Sequence, residues 1–321
     1  MTGQHPVPAS GSQDAAPAGR VPWPAVAIFT AVAFLAAWLV ALPLWMGASS
    51  PIVTTAVMSV MMFTPAVAVL VVVTTMKVPR RDVWRFLGVW PLRPVKRTVW
   101  FSVLAILLPI VVTGLVVAVS AALGLVELDL IGFSGLAAQL EAAGVDPQTV
   151  PLGLVVLSQL LMVPVAAVLP NAILAFGEEV GWRGWLLPAL RPWGTWPALL
   201  LSGVIWGLWH APITLLGHNF GRTDVVGVLL MIGACVAWGV LFGWLRLRSG
   251  SVWPAVFAHG SLNAVGGVIL VLAAAGAAPD LAVVGPMGLV TWGVIAVVVV
   301  VLVLAGAFRT DRLAPADPDT A

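Results

Sequence analysis

Charged side chains are scarce in this chain: Asp, Glu, Lys and Arg make up 9% of its 321 residues, whereas hydrophobic residues make up 61%. Soluble domains carry about 25% charged residues, so this composition excludes an ordinary soluble domain. The mean hydropathy is +1.07. Long apolar segments of this kind predict membrane-spanning helices, because a bilayer core is crossed by ~20 apolar helical residues.

Cysteine is almost absent as well. The single cysteine, Cys235, excludes a disulfide framework and a cysteine-rich metal site, and we interpret it as a small packing residue within an apolar segment. The pI near 9.3 does not indicate a nucleic-acid partner, because the basic residues lie between apolar segments and not on a soluble surface. They report membrane topology instead.

The apolar segments predict an all-α polytopic membrane protein with about eight transmembrane helices. The first segment is longer than a signal-peptide core of about 7–15 residues, so we interpret it as a membrane span. The predicted spans are 22–46, 52–76, 98–124, 151–177, 196–217, 225–246, 252–275 and 283–307. The predicted domains are a disordered tail (1–21), one transmembrane domain (22–308, with a core at about 150–275) and a second tail (309–321).

The basic residues predict the orientation in the membrane. With a cytoplasmic N-terminus, fourteen of the 15 Lys and Arg residues fall in cytoplasmic segments, and only Arg222 lies outside. Seven of them occur between Lys77 and Arg97, a segment called the basic loop below. Because Lys and Arg concentrate in cytoplasmic loops, we predict a multi-pass protein of the cell membrane with both termini cytoplasmic.

Ionisable side chains inside membrane spans are costly and are therefore functional-site hypotheses by default. Most of the predicted spans contain none. The exceptions concentrate in three segments. Glu178, Glu179 and Arg183 directly follow the fourth span, His210 lies in the fifth, and His259 and Asn263 lie in the seventh.

Helical spacing groups these residues. Glu179 and Arg183 are four residues apart and can form an ion pair, whereas Glu178 is rotated by about 100° and stays available as a general base. His259 and Asn263 share one helix face. A carboxylate, two imidazoles and an amide from three helices can activate water and stabilise an oxyanion.

Each group also has a purely structural interpretation. The Glu–Arg pair can be a structural ion pair, and a lone His or Asn in a span can form hydrogen bonds between helices. The combination in three spans, beside five spans that are almost purely apolar, favours a functional site.

Three motifs carry a resemblance to a known family. GEEVGWRGWLLPAL (177–190) resembles the E-E-x-x-x-R signature of the CPBP family, which contains the type II CAAX prenyl endopeptidases and the bacteriocin-processing (Abi) proteins. WGLWHAP (206–212) and HGSLN (259–263) resemble its second and third motifs, and the resemblance covers about 150–275. Trp206 stands where phenylalanine is common, which we regard as a mild exchange.

The resemblance implies an intramembrane endopeptidase whose site opens toward the cytoplasm. It implies that Glu178 is the general base for a hydrolytic water and that His210 holds or polarises this water. His259 and Asn263 are expected to stabilise the oxyanion. The supporting residues are expected to be Glu179 and Arg183. The substrate is expected to be a membrane-associated protein or peptide, with prenylated ones among the candidates.

A metal remains an alternative. Glu178, His210 and His259 can bind Zn²⁺ with water as the fourth ligand, although the HExxH pattern is absent; we favour a site that requires no cofactor. His210 lies 14 residues, or roughly 21 Å, beyond Trp196, and His259 lies 6 residues, or roughly 9 Å, beyond Trp253. A shared site therefore requires these helices to start at different heights or to tilt.

Three other functions stay open from the sequence. A proton-coupled transporter can use Glu and His as a relay, with Pro164 and Pro170 breaking the fourth span. A haem or quinone protein would use His210 and His259 as ligands. A non-catalytic immunity or scaffold protein needs no site at all.

Overall fold

The computed structural model describes residues 19–48 and 50–314. Most of the predicted N-terminal tail and the last residues of the C-terminal tail lie outside this part. The described residues form helices and their connections, with one isolated bridge between Leu128 and Ala273. The prediction of an all-α polytopic membrane protein is confirmed.

The first three predicted spans form helices, the second one interrupted. The helices are α1 (Trp23–Trp45), α2 (Pro51–Met61), α3 (Thr64–Val71), α4 (Val83–Phe86) in the basic loop, and α5 (Val95–Ala122). A short helix α6 (Ser134–Ala142) follows in the long connection.

The fourth predicted span is bent. It consists of α7 (Leu152–Val168) and α8 (Asn171–Glu179), and the helical axis changes direction by 44° at the break. Pro170 precedes the first residue of α8, and a proline disfavours helical backbone in the residue before it. Pro164, in contrast, lies inside α7 without ending it.

A π-helix (Val180–Leu186) continues α8 directly and leads into the rest of the bundle. The remaining helices are α9 (Leu187–Leu190), α10 (Thr195–Trp209), α11 (Ala211–Thr214), α12 (Val225–Ser249), α13 (Trp253–Val265), α14 (Val268–Leu272), α15 (Leu281–Val284) and α16 (Leu289–Leu304).

The count of eight spans is approximate. Within the described residues, 6 helical stretches are long and apolar enough to cross a membrane, and the bent pair α7–α8 makes up to 7. The fifth predicted span is the shorter α10 of 15 residues.

The bundle has two distinct ends. At one end the basic loop packs against the last turn of α12, where Arg246 Nη2 donates to the carbonyl of Phe86 at 2.8 Å. Arg248 Nη1 donates at 2.8 Å to the carbonyl of Arg312. We call this the basic end. At the opposite, distal end, the last residue of α1, Trp45, donates its indole N–H to the carbonyl of Pro212 in α11 at 2.9 Å.

Candidate active site

Two glycines let the segment that carries the glutamates approach its neighbours closely. A Cβ on Gly177 would lie 2.7 Å from the carbonyl oxygen of Met62, and a Cβ on Gly181 would overlap the side chain of Pro65. Neither position has room for a side chain. The glycines of the GEEVG sequence therefore hold α8 and the π-helix against α2 and α3.

The E-E-x-x-x-R motif lies at the transition from α8 to the π-helix. π-Helical turns are rare and occur frequently at functional sites. All seven residues of this π-helix are buried. It places Trp182 against Glu178 and Arg183 against Glu179, in each case four residues after the glutamate.

Glu179 is the centre of a buried ion-pair network. Its Oε1 accepts a 2.9 Å hydrogen bond from Arg183 Nη1, the pair expected from the spacing, and lies 2.9 Å from His259 Nδ1. A carboxylate only accepts hydrogen bonds when ionised, so Nδ1 of His259 carries the proton in this contact. Glu179 thereby orients His259 and leaves its Nε2 available.

Arg183 has a second contact. Its Cζ lies 4.2 Å from the centroid of the Trp206 ring, a distance typical of cation–π attraction. The guanidinium is thus held between Glu179 and the indole, behind the side chains that face the cavity described below.

The two oxygens of Glu178 have different surroundings. Oε2 accepts hydrogen bonds from two indoles, Trp206 Nε1 at 2.6 Å and Trp182 Nε1 at 3.2 Å. Oε1 lies 4.0 Å from His259 Nε2. A single water or substrate oxygen can bridge such a gap, since each hydrogen bond spans about 2.7–3.0 Å.

His210 follows the last residue of α10. Its Nδ1 lies 2.9 Å from the carbonyl oxygen of Trp206, and a carbonyl only accepts hydrogen bonds, so Nδ1 carries the proton and Nε2 is the free ring nitrogen. The Cys235 sulfur lies 3.8 Å from the same Nδ1. Cys235 packs in the interior as predicted.

The two histidines lie at different depths on either side of one indole. The Trp206 ring centroid lies 5.7 Å from that of His210 and 5.5 Å from that of His259. On α12, His210 contacts Cys235 and His259 contacts Phe242, two residues that are about 10 Å apart along the helix axis. The difference in depth between His210 and His259 that the sequence predicts is therefore present. Both imidazole rings still border one cavity.

This cavity has a volume of about 320 Å³, and its lining includes Glu178, His210, His259 and Asn263. All four residues predicted to be catalytic thus meet in one space. Because a water occupies ≈ 30 Å³ in the liquid, the cavity has room for about ten waters or a short stretch of peptide. Glu179 and Arg183 are buried behind this lining.

The sequence analysis missed Trp182 as a site residue and named Trp206 only as part of the second motif. Trp182 is four residues after Glu178, the same spacing that identified Glu179 and Arg183, so a signal for it existed. The description of Trp206 as a mild exchange was wrong, because phenylalanine has no N–H and cannot donate the bond to Glu178.

The geometry gives no support for the zinc alternative. In the part of the chain that the structure describes, no group of three His, Cys, Asp or Glu side chains has the spacing of a metal site.

Residues 157–265 match the family model described as Type II CAAX prenyl endopeptidase Rce1-like. The similarity to the CPBP/CAAX protease family is confirmed. The matched segment, about a third of the chain, contains the glutamate motif, both site histidines and Asn263. No curated protein matches the chain.

The Rce1-like match supports an intramembrane protease of the CAAX type. The apolar helices accordingly describe a multi-pass membrane protein.

Proposed function

We propose that this protein is an endopeptidase that hydrolyses a peptide bond of a membrane-associated protein or peptide, with Glu178 as the general base. The observation that carries the proposal is the single cavity shared by Glu178, His210, His259 and Asn263. The Rce1-like match of the same segment supports the reaction class.

In this mechanism Glu178 takes the proton of the attacking water with Oε1. Both indoles donate to Oε2, so Oε1 is the oxygen with free acceptor capacity. His210 accepts a hydrogen bond from the water through Nε2, the ring nitrogen that its bond to the Trp206 carbonyl leaves unprotonated. A base held within hydrogen-bond reach of the water accelerates its attack by about 10²–10⁴-fold.

Attack of the water oxygen on the carbonyl carbon produces a tetrahedral oxyanion. We assign its stabilisation to His259 and Asn263, which share a face of α13. Glu178 and Glu179 carry two negative charges and Arg183 one positive charge, so a protonated His259 makes this buried cluster neutral, and its Nε2–H can then donate to the oxyanion. Glu178 finally transfers its proton to the leaving amine nitrogen as the C–N bond breaks.

The mechanism requires no metal ion. It uses a carboxylate, two imidazoles and an amide, and Glu179 and Arg183 act by fixing His259 and the indole of Trp206. Prenylated proteins are one class of candidate substrates, and the experiment below identifies substrates without assuming a lipid.

The test compares new peptide N-termini in membranes of cells that carry the native chain or Glu178→Gln. Glu141→Gln is the matched control, since Glu141 lies exposed on α6. Termini that vanish in Glu178→Gln and persist in Glu141→Gln support the proposal and name the substrates.

Unchanged termini, with both variants folded and equally abundant, overturn the proposal. The transporter and scaffold functions are then better supported than the protease. Dependence of a transport activity on a proton gradient separates these two.

A further inference from the structure

Three arginines from distant parts of the chain meet at the basic end. Arg248, in the last turn of α12, donates from Nη1 to the carbonyl oxygen of Arg312 at 2.8 Å. Arg97, in the first turn of α5, donates from Nη2 to the same oxygen at 3.4 Å. The side chain of Arg312 turns back to the end of α16, where its Nη1 donates to the carbonyl of Ala305 at 3.2 Å. We call Arg97, Arg248 and Arg312 the arginine cluster.

The segment that carries Arg312 is held in place by contacts with the bundle. It follows α16, and its Phe308 stacks on Trp196 with the ring centroids 4.8 Å apart. The backbone N–H of Ala314 donates to the carbonyl of Leu247 at 2.7 Å. The position of Arg312 beside α5 and α12 is therefore set by the fold.

The cluster keeps an excess of positive charge. The charges of Arg97 and Arg312 both act on Arg248, and the carboxylate that acts on it, among the residues that the structure describes, is that of Asp311. Asp311 is shared with a fourth arginine, because its Oδ1 accepts a hydrogen bond from Arg309 Nε at 3.2 Å. Both side chains of this pair are exposed, and exposed ion pairs contribute little.

The guanidinium groups also retain hydrogen-bond donors. Each guanidinium has five N–H donors in a planar fork, and Arg97 and Arg248 each give one of them to the Arg312 carbonyl. Arg248 Nε has no partner in the described part of the chain. The arginine fork matches the oxygens of phosphate and carboxylate groups. An anion with several oxygens therefore fits donors that converge from three helix ends.

Membrane orientation alone does not explain this gathering of charge. Orientation depends on the number of Lys and Arg residues near the ends of the spans, which does not require them to be in contact. Arg246 and Arg248 are two residues apart and project about 200° apart around α12: Arg246 contacts the carbonyl of Phe86 in the basic loop, and Arg248 contacts that of Arg312. Bringing three like charges together costs Coulomb energy, which a bound anion offsets.

Aromatic residues place the cluster at the level of the lipid headgroups. Trp23, the first residue of α1, packs edge-to-face on Trp193 at 5.7 Å at this end of the bundle, and Trp196 stacks on the segment that carries Arg312. Trp100, about one turn beyond Arg97, is 67% exposed. Tryptophan is enriched at membrane–water interfaces, so an anion on this cluster lies among the headgroups.

From the cluster, α5 presents an apolar face to the lipid. Trp100, Val103, Leu107 and Val111 recur every three or four residues and are all exposed, so they form one stripe along the helix. The stripe reaches about 21 Å from Arg97 along the helix axis. One leaflet contributes ~15 Å of hydrocarbon, since the whole core is ≈ 30 Å thick. An acyl chain that is anchored at the cluster can therefore lie on this stripe over its full length.

We propose that the arginine cluster binds an anionic phospholipid, whose phosphate contacts Arg97, Arg248 and Arg312 and whose acyl chain lies along α5. The excess charge and the converging donors favour a phosphate, and the depth and the apolar stripe favour a lipid over a free phosphate ion. The bound lipid joins α5, α12 and the segment after α16. The catalytic cavity contains none of these arginines, so the site is independent of the proposed function.

The test measures lipid binding by the full chain in an uncharged detergent. Native mass spectrometry during titration with phosphatidylglycerol or phosphatidylcholine gives the affinity and the number of lipids retained. Thermal unfolding provides a second readout, because a ligand of the folded state raises the unfolding temperature. We expect phosphatidylglycerol to bind more tightly than phosphatidylcholine and to raise the unfolding temperature. Inorganic phosphate at the same concentration should leave it unchanged.

Arg97→Gln and Arg312→Gln are each expected to weaken phosphatidylglycerol binding by about fivefold, the contribution of one basic residue near a membrane surface. Arg97→Lys should retain part of the affinity, because lysine binds phosphate as a point charge. Arg85→Gln is the matched control. It removes the same charge at the same end, but Arg85 lies exposed in α4, beside the Phe86 that contacts the other face of α12. Its affinity should equal that of the native chain, since salt screens exposed charges.

Equal binding of the two lipids, or equal weakening in Arg85→Gln and Arg97→Gln, overturns the proposal, because either result describes a diffuse attraction by surface charge. An equal rise of the unfolding temperature with inorganic phosphate assigns the cluster to a free anion and overturns the lipid. The unfolding temperature without lipid reports whether Arg97→Gln is folded. If it is lowered, Arg312→Gln decides, because that side chain is exposed.

Discussion

Trp206 is bonded to both Glu178 and His210: its indole N–H donates to Glu178 Oε2 at 2.6 Å, and its carbonyl oxygen lies 2.9 Å from His210 Nδ1. One residue thus fixes the free oxygen of the carboxylate and the tautomer of the imidazole. The same ring lies beneath the guanidinium of Arg183. This position differs from the family pattern, in which phenylalanine is common.

Trp206→Phe is expected to reduce kcat/KM by about 10- to 100-fold. The substitution keeps most of the ring packing and removes the N–H, and a hydrogen bond to a charged group contributes ≈ 1.5–3 kcal/mol, at about 1.4 kcal/mol for each factor of ten. Steady-state kinetics in proteoliposomes measures the effect. Trp244→Phe is the control, because that buried indole donates to the Ala307 carbonyl at 3.4 Å, outside the site. Equal losses in the two variants would refute a positioning role for Trp206.

Glu178→Gln and Arg183→Ala are expected to separate activity from stability. Glu178→Gln keeps the shape of the side chain and should abolish cleavage while the protein stays folded. Arg183→Ala leaves the buried Glu179 carboxylate without its partner, and breaking such a pair costs about 3–5 kcal/mol. Thermal unfolding in detergent should therefore show a clear loss for Arg183→Ala alone. Similar mild effects on cleavage and unfolding at both positions would contradict the assigned roles.

Asn263→Ala is expected to lower kcat with little change in KM or in thermal stability. Asn263 is exposed toward the cavity, so its removal leaves no packing defect, while the loss of one oxyanion donor costs about 10²–10³ in kcat. Kinetics with the substrate found by N-terminal profiling provides the measurement. A rise in KM at constant kcat would assign Asn263 to substrate binding instead.

Gly181→Ala is expected to destabilise the protein by about 1–3 kcal/mol, the usual range for an overpacked core. A methyl group at Gly181 would overlap the Pro65 side chain, whereas one at Gly293 in α16 would meet no atom within 4 Å. Gly293→Ala is therefore the matched control and should unfold at or above the native temperature. Equal unfolding temperatures for the two variants would show that α3 can move away from the π-helix.

Asp129 provides a pH prediction outside the membrane. Hydrogen bonds from the Ser134 side chain and from the backbone N–H groups of Gly132 and Ser134 lower the pKa of Asp129 from 3.8 to about 2. Because the folded pKa is depressed, the stabilisation of this loop is complete above the unfolded value and is lost as the pH falls through about 2. NMR titration of a carboxyl-labelled protein checks the value, and a midpoint near 3.8 would mean that these bonds do not persist in solution.

The sequence by itself determined the fold class, the approximate number of spans and the candidate residues. These features follow from local properties: apolar segment length decides which helices can cross a bilayer, and four-residue spacing decides which side chains share a helix face. The helix bounds of α1, α5 and α12 accordingly lie within a few residues of the predicted spans.

Only the tertiary structure decided which partners meet across helices. The contact of Glu179 with His259, the two indoles on Glu178 and the cavity that the site residues share depend on how far α8, α10 and α13 are displaced along their axes. No periodicity within one helix encodes that displacement. It results from contacts distant in the chain, such as the close approach at Gly177 and Gly181 and the bend at Pro170, which bring residues from separate spans to a common cavity.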